Sequence, residues 1–494
     1  MTTPNNISHR LLLVAYAFPP VGGAGVQRPV KWVKNLRRFG WQVTVLTTEN
    51  PSVPTRDESL LVDIPDDILI IRARTWEPNY RTKLGFLDQA GATRQGFFTR
   101  VKSKLKGLVR NAVKLVLQPD PQVLWVPNAI RAGRKILGDV PHDAILVTAP
   151  AYSSFFVGTT LKHLYGLPLI LDFRDEWDIS GQYLENAQRD WFSHAVQEQM
   201  QRYVLRRADA VIATTKASAA NLAEKLVRLS APAVPTITVY NGYDVEDFQP
   251  EAEPAVEQTD CQYQSISLDH WQKFASKAAV PESISAENAS CHASESNGFR
   301  LLYTGTLWNL TTIKPLVEAI LQLQLTFPEL VSKLELVCVG RKTAEQTNIL
   351  EQLLGTGCRL ELIDYCQHAK VLGWLRSTNA VCLLLSDVPG AERVVPAKLF
   401  EYLANRRDML AIMPRGEAAD IVQRFFPLGY FQPKDIDGIA RWLKSRLFGL
   451  GESDLHTALT ANIDEFSRTT QTRKLAELLD QLIRGQSEAR RSAH

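Results

Sequence analysis

Lys398 and Glu401 are the charged side chains whose types and spacing best suit a ligand that contains phosphate. They lie three residues apart in the stretch 394–404, Val-Val-Pro-Ala-Lys-Leu-Phe-Glu-Tyr-Leu-Ala. Apolar residues recur at helical spacing in this stretch, which predicts a helix with one face in a core. Pro396 suits the first position of such a helix, because that position needs no N–H group.

The start of this predicted helix favours an anion, because its free N–H groups and the helix dipole are both positive. Lys398 adds a cation there. One turn into the helix, the Glu401 carboxylate can accept hydrogen bonds from two sugar hydroxyls. The residues therefore predict a seat for a nucleotide diphosphate and its ribose. The alternative is an exposed Lys–Glu pair on an ordinary surface helix.

The stretch 396–404, Pro-Ala-Lys-Leu-Phe-Glu-Tyr-Leu-Ala, resembles the donor-site helix of retaining glycosyltransferases with the GT-B fold. The resemblance is to family 4, in particular to a branch that builds bacterial cell-surface polysaccharides. It implies that Glu401 holds the ribose and that the helix start faces the phosphates. Many members carry a glutamate that contacts the donor sugar at the position of Arg393, beside Glu392.

The same resemblance implies further donor contacts after the strands predicted at 299–306, 334–341 and 360–365. The first ends at Gly305, where the family has Gly-Arg with a lysine downstream. Lys314 is the shifted candidate for that lysine, and Arg341, after Gly340, would supply the missing arginine charge. Tyr365 lies where the family places its nucleobase contact. For Lys314 and Arg341 the alternative is an ordinary surface charge.

A Gly-rich loop at 19–25 joins a strand predicted at 11–18 to a helix predicted at 26–39, and a strand at 41–47 completes a β-α-β unit. A nicotinamide fingerprint would need a third glycine where Arg28 stands, so a nicotinamide enzyme is the least favoured alternative. The Phe-Pro-Pro-x-Gly-Gly arrangement is similar to the amino-terminal loop of family 4. It implies that Gly23 lies near the acceptor and the donor phosphates.

The stretch 172–177, Asp-Phe-Arg-Asp-Glu-Trp, follows a strand predicted at 169–173. Polar residues after a buried strand lie at the carboxyl edge of the sheet, where open α/β folds bind ligands. The stretch resembles the D-x-R-D-x-W signature of the polysaccharide branch, which implies that Arg174 and Asp175 lie on the acceptor side and that Asp175 orients the acceptor. Asp172 is predicted to pair with an arginine and fix its loop. A metal site is not predicted, because two carboxylates three residues apart on a loop are weak evidence.

The segment 89–119 contains seven basic residues and no acidic one, with apolar residues at helical spacing. A basic amphipathic helix of this kind is typical of a membrane-surface element. The alternatives are a helix that packs on its own domain and, third, a nucleic-acid patch.

The totals are those of an ordinary soluble protein, with 494 residues, enough for two to four domains, and a net charge of +3. We expect two doubly wound Rossmann-like domains, at 1–248 and 299–465, facing each other across a cleft. A disordered insert is predicted at 249–298 and a crossing C-terminal helix with a tail at 466–494. The six cysteines include no C-x-x-C pair, and no run of 18 apolar residues occurs, so a cytoplasmic chain is expected.

Together these observations predict transfer of a sugar from a nucleotide diphosphate sugar to a hydroxyl acceptor, with Asp175, Lys398 and Glu401 as the catalytic set. The resemblance implies retention at the anomeric carbon, no metal, no cofactor besides the nucleotide sugar, and a lipid-linked or saccharide acceptor. Through 89–119 the protein would lie on the anionic inner face of the plasma membrane, without binding nucleic acid. A sugar-nucleotide epimerase of the same fold and an inactive membrane-bound assembly partner remain the alternatives.

Overall fold

The computed structural model describes residues 9–53, 56–78, 117–179, 191–248, 298–449 and 460–492. Most of the basic segment 89–119 and all but Gly298 of the predicted insert 249–298 lie outside the described residues. The chain divides into two compact units. Unit 1 comprises residues 1–241 and 468–494, and unit 2 comprises residues 242–467.

Unit 1 is built on a seven-stranded parallel sheet. Its strands are β1 His9–Ala15, β2 Trp41–Thr48, β3 Leu69–Ala73, β4 Ala144–Ala149, β5 Leu169–Phe173, β6 Ala210–Ala213 and β7 Thr236–Thr238. Their order in the sheet is β3-β2-β1-β4-β5-β6-β7, and every pairing is parallel. The strands β4, β5 and β6 are buried along their whole length, which explains their largely apolar sequences.

In the described part of unit 1, five helices connect the strands: α1 Ala24–Leu36, α2 Val126–Asp139, α3 Ser154–Tyr165, α4 Trp191–Leu205 and α5 Lys216–Arg228. Two separate apolar layers cover the sheet. One contains Trp125, Phe155 and Trp177, and the other contains Trp41 together with α1. Helices on both faces of a parallel sheet define the doubly wound class.

Unit 2 repeats this design with six parallel strands. They are β8 Phe299–Thr304, β9 Leu334–Val339, β10 Arg359–Ile363, β11 Ala380–Leu384, β12 Asp408–Ile412 and β13 Tyr430–Phe431. Their order is β10-β9-β8-β11-β12-β13. The predicted α/β class with two doubly wound sheets is confirmed.

The helices of unit 2 are α6 Lys314–Thr326, α7 Pro328–Val331, α8 Ala344–Glu351, α9 His368–Arg376, α10 Lys398–Asn405, α11 Glu417–Phe425 and α12 Ile436–Leu447. The last helix, α13 Arg468–Ser492, belongs to unit 1, where its residues Leu475 and Leu479 are fully buried in the same layer as α1. Of the helices in the described part of the chain, none combines the length and the apolar character that crossing a membrane requires.

Each sheet reverses its strand order once, between β1 and β4 in unit 1 and between β8 and β11 in unit 2. Open α/β sheets bind ligands outside the carboxyl ends of the strands at such a switch point. The ends of β8 and β11 therefore mark where unit 2 should bind its ligand. The ends of β1 and β4 mark the equivalent edge of unit 1.

Several predicted boundaries were wrong. The helix predicted to begin at Pro396 begins at Lys398, and the strand predicted at 11–18 runs from His9 to Ala15. The strand β3 and the helix α2 were not predicted. The sequence of β3 gives a weak signal because only one of its five residues is buried.

Candidate functional site

The end of β8 and the start of α10 are joined by two side chains of α10. The Lys398 Nζ donates a hydrogen bond to the Thr304 carbonyl oxygen at 2.6 Å. The Tyr402 hydroxyl accepts one from the Thr304 N–H at 3.0 Å. The Lys398 Nζ also lies 3.9 Å from the centroid of the Tyr303 ring, within cation–π range. Lys398 is therefore held at the unit 2 switch point and is not a freely solvated surface charge.

Two glycines allow this close packing. A Cβ on Gly305 would lie 2.9 Å from the Lys398 Nζ, and a Cβ on Gly340 would lie 2.3 Å from the Gly305 carbonyl oxygen. Both have positive φ, +114° and +124°, a region that favours glycine. Gly340, predicted as a donor contact, thus packs directly against the turn at Gly305, where a side chain would not fit.

The surroundings of Lys398 change its proton affinity. Burial lowers the pKa of its ammonium to about 7, against smaller opposing effects of the Cys382 thiol and the Glu401 carboxylate. A lysine with such a pKa exchanges its proton near neutral pH. An anion placed beside it would favour the charged form and raise the pKa again.

Backbone N–H groups add to the positive character of this edge. Among the described residues, no backbone hydrogen bond uses the N–H groups of Val395, Ala397 or Lys398, which precede and open α10. Groups of this kind at a helix start bind anions. Lys398 and the α10 start together form a cationic edge beside Gly305.

Glu401 has a partner that the sequence did not predict. Its Oε1 lies 3.1 Å from the Nε2 of His368, the first residue of α9, and both side chains are largely buried. The two residues are 33 positions apart, so spacing within one helix could not have shown this contact. The alternative of an exposed Lys–Glu pair on a surface helix is not what the structure shows, because Glu401 is largely buried and lies against His368.

The other predicted donor residues of unit 2 are more exposed. The Lys314 Nζ lies 3.7 Å from Glu318, and its side chain is 63% exposed. Arg393 pairs with the neighbouring Glu392 at 2.8 Å. Arg341 is exposed and Tyr365 is partly buried. Their roles as donor contacts remain predictions.

Lys342, beside Arg341, is a second enclosed lysine at this edge, and it was not predicted from the sequence. Its Nζ donates to the carbonyl oxygens of Gly340 at 2.6 Å and Ile363 at 2.7 Å. Burial lowers the pKa of this ammonium. Lys342 therefore ties together the ends of β9 and β10.

In unit 1, Asp172 is fully buried and forms a two-pronged ion pair with Arg28, at 2.8 and 3.1 Å. Thr148 donates a third hydrogen bond to this carboxylate at 2.7 Å. The Arg28 Nη1 also donates to the carbonyl oxygen of Val239 at 2.7 Å. The prediction that Asp172 pairs with an arginine is confirmed, and the arginine comes from α1.

Arg174 lies against the Gly-rich loop. Its Nη1 donates to the Gly25 carbonyl oxygen at 2.7 Å, and a Cβ on Gly25 would collide with the guanidinium at 2.2 Å. Asp175, with its side chain 46% exposed, lies 3.4 Å from the Arg174 Nε. Gly23 precedes α1 with φ +109° and has open space around its Cβ position. These three predicted residues thus lie at or near the carboxyl edge of the unit 1 sheet.

A buried acidic cluster at the same edge was not predicted. The Tyr16 hydroxyl donates to the Glu77 carboxylate at 3.0 Å. Asp120 accepts a hydrogen bond from the Ser153 N–H at 3.1 Å, and burial raises the pKa of its carboxyl to about 6. Tyr16 follows β1, Glu77 lies shortly after β3, and Ser153 lies shortly after β4. These residues are spread over more than 130 positions of the sequence.

No group of three or more His, Cys, Asp or Glu side chains in the described ranges could hold a metal ion. The four cysteines in those ranges are free thiols.

Comparison with known proteins agrees with this architecture. Residues 22–242 match the family described as "Glycosyl transferase 4-like domain". No curated protein matches the chain.

Two solved structures illustrate the likeness in fold. HepE of Anabaena, in complex with UDP and glucose, is 14% identical with a TM-score of 0.57, and the likeness covers 96% of this chain and 100% of that chain. Sucrose-phosphate synthase of Thermosynechococcus elongatus is 15% identical with a TM-score of 0.52, over 98% and 99% of the two chains. At these identities the likeness shows the fold alone. The protein therefore has the fold of the GT-B glycosyltransferases, and its residues 22–242 are similar to the glycosyl transferase 4-like domain.

Proposed function

We propose that this protein is a glycosyltransferase that moves a sugar from a nucleotide diphosphate sugar to a hydroxyl acceptor. The observation that carries the proposal is the position of Lys398 and Glu401. Both are fixed by contacts across unit 2, at the start of a helix beside the switch point of its sheet. The sequence match over residues 22–242 supports the same reaction class.

The donor diphosphate would bind at the cationic edge. Its oxygens would accept hydrogen bonds from the start of α10, and the Lys398 ammonium would balance their charge. The Glu401 carboxylate, oriented by His368, would accept hydrogen bonds from the two ribose hydroxyls. HepE has been crystallised with UDP-glucose, so UDP sugars are the first donors to test.

The reaction needs stabilisation of a leaving diphosphate, and preorganised charge supplies it without reorganisation of the site. We propose a front-face reaction with retention. The bond from the anomeric carbon to the diphosphate oxygen breaks, the acceptor oxygen bonds to the same face, and its proton passes to the leaving phosphate. Lys398 would stabilise the departing charge, so neither a metal nor a strong side-chain base is required.

The acceptor would be a lipid-linked or saccharide hydroxyl compound, with Arg174 and Asp175 on the acceptor side. In this proposal the protein acts in the cytoplasm, at the inner face of the plasma membrane. The segment 89–119, with seven basic residues and no acidic one, would attract the anionic lipids.

A thermal-shift panel of UDP, GDP, ADP and dTDP with their sugars tests the proposal on the purified full chain. A ligand that binds only the folded state raises the melting temperature. We expect one nucleotide series to raise it, and the matching sugar nucleotide to be consumed only when an acceptor is added. Conversion of the sugar without an acceptor would instead identify an epimerase. A flat panel with a folded protein would favour an inactive assembly partner.

A further inference from the structure

The helix α4 of unit 1 buries polar side chains along most of its length and exposes aromatic ones. Its buried residues are Ser193, Gln197 and Gln201, followed at its end by the apolar Val204 and Leu205. Trp191 is 81% exposed, Phe192 39% and Tyr203 42%. Surface helices normally turn their apolar side toward the core, so packing among the described residues of unit 1 does not account for the exposed aromatic side chains.

The buried side of α4 is satisfied by hydrogen bonds, which explains how the reversal is tolerated. The Trp177 Nε1 donates to the Gln197 Oε1 at 2.9 Å. The Gln197 amide donates to the Gln118 Oε1 at 2.5 Å, and the Gln118 amide donates to the Ser193 hydroxyl at 3.3 Å. The amides thus hold the helix in a fixed rotation, with its aromatic residues outward.

The outward side forms a shallow groove of about 590 Å³ whose lining is almost entirely apolar. We call it the aromatic face, and its main residues are Phe156, Trp191, Phe192, Val196, Met200 and Tyr203. Phe156 of α3 stacks on Tyr203 with ring centroids 6.0 Å apart. Gln199 is the one amide side chain among the described residues that line it.

Positive charge borders the aromatic face. Arg206 and Arg207, just after α4, are exposed, and the Arg207 guanidinium lies 3.7 Å from the centroid of the Tyr203 ring. Glu198, the one acidic residue of α4, is partly buried. The two arginines thus place cations beside the aromatic residues that α4 exposes.

We infer that the aromatic face docks on an anionic lipid bilayer. Tryptophan and tyrosine favour the interface between lipid headgroups and acyl chains, because one part of each ring system is apolar and another part is polar. The flanking arginines would contact lipid phosphates. An aromatic surface bordered by cations fits an anionic bilayer better than it fits a second copy of the same cationic surface.

The test measures co-sedimentation of the full-length protein with vesicles of phosphatidylcholine alone, or of phosphatidylcholine and phosphatidylglycerol in equal parts. In Trp191→Ala/Phe192→Ala we expect binding to the anionic vesicles to weaken by about tenfold or more, since two exposed aromatic rings are lost. Leu325→Ala is the matched control. Leu325 is 88% exposed in unit 2, and its removal should leave vesicle binding unchanged.

A second pair of variants separates the charge from the aromatic residues. Arg206→Gln and Arg207→Gln should each weaken binding to the anionic vesicles by about fivefold and make little difference with phosphatidylcholine alone. Unchanged binding in the aromatic double variant would overturn the inference. So would a fall in its melting temperature, which would mean that the aromatic face packs on the chain itself.

Sedimentation velocity tests whether the aromatic face binds a second copy of the chain instead. A concentration-dependent dimer that disappears in the aromatic double variant, with vesicle binding intact, would replace the bilayer with a second copy of the chain. None of these measurements depends on sugar transfer. A failure here therefore leaves the proposed sugar transfer untouched, and a failure of the donor panel leaves the lipid surface standing.

Discussion

Binding of a nucleoside diphosphate should be coupled to uptake of a proton by Lys398. Burial lowers the pKa of this ammonium to about 7 in the free protein. A diphosphate beside the Lys398 Nζ would favour the charged form and return the pKa toward its usual value of about 10.4. Two changes test this coupling between binding and proton uptake: a change of pH and the replacement Lys398→Met.

The expected number of protons taken up follows from this rise in the pKa of Lys398. At pH 8 about one free molecule in ten carries the proton on Lys398, whereas nearly every complex would carry it. Binding at pH 8 should then take up about 0.9 proton per molecule of ligand, and at pH 7 about 0.5. Between about pH 7.5 and 9.5 the dissociation constant should rise by up to about tenfold per pH unit.

Titration calorimetry measures this uptake when the same binding reaction is run in two buffers of different ionisation enthalpy. At pH 8 the terminal phosphate of the ligand is already ionised, because its pKa is about 6, so the uptake belongs to the protein. Lys398→Met should remove the uptake and weaken binding. Lys333→Met is the matched control, since it removes an exposed lysine of the same unit that has no predicted contact with the donor, and Lys314→Met tests the other predicted cation.

Equal heats in both buffers at pH 8, with a dissociation constant independent of pH, would refute this reasoning. Tight binding by Lys398→Met would do the same, since it would place the diphosphate elsewhere. Loss of uptake in Lys314→Met alone would transfer the role to that residue.

Three further predictions concern stability. Gly340→Ala should lower the free energy of unfolding of unit 2 by about 3 kcal/mol or more in urea denaturation, because its Cβ meets backbone 2.3 Å away. Gly355→Ala shares the positive φ but has open space, so a cost as large as that of Gly340→Ala would contradict the steric explanation. Asp172→Ala should cost about 3–5 kcal/mol in urea denaturation, because it leaves the Arg28 charge buried and unpaired, and a neutral result would contradict the pairing. The pKa of the Asp120 carboxyl in the folded state, about 6, lies above its usual value. Its contribution to stability is therefore full below about pH 4 and is lost as the pH rises through about 6. In Asp120→Asn the melting temperature should vary less with pH over this range, and a pH profile like that of the wild type would refute the assignment.

Much of the fold could be predicted because its strands are buried on both faces. The runs that became β4, β5 and β11 are continuous apolar segments, and each is followed by residues that form turns. The edge strand β3 was not predicted because its residues are mostly exposed or half-buried. The helix α2 was not predicted because its core face includes the small residues Ala129 and Gly133, which weaken the apolar periodicity of its sequence.

The candidate site was only partly predictable. Lys398 and Glu401 could be selected because both lie in one short stretch with helical periodicity. Their contacts to Thr304 and His368 depend on the strand order β8-β11 and on the position of α9, which no local pattern specifies. The ion pair of Arg28 and Asp172 joins residues 144 positions apart and likewise depends on the sheet.

The most direct test of the central claim compares donor binding by the wild-type protein with binding by Glu401→Ala and Glu401→Gln, using titration calorimetry with the nucleoside diphosphate that the thermal-shift panel selects. We expect Glu401→Ala to weaken binding by about tenfold to a hundredfold, because two charge-assisted hydrogen bonds to the ribose are lost. Glu401→Gln should retain part of the affinity, and both variants should stay folded. Unchanged affinity in folded Glu401→Ala would contradict the account.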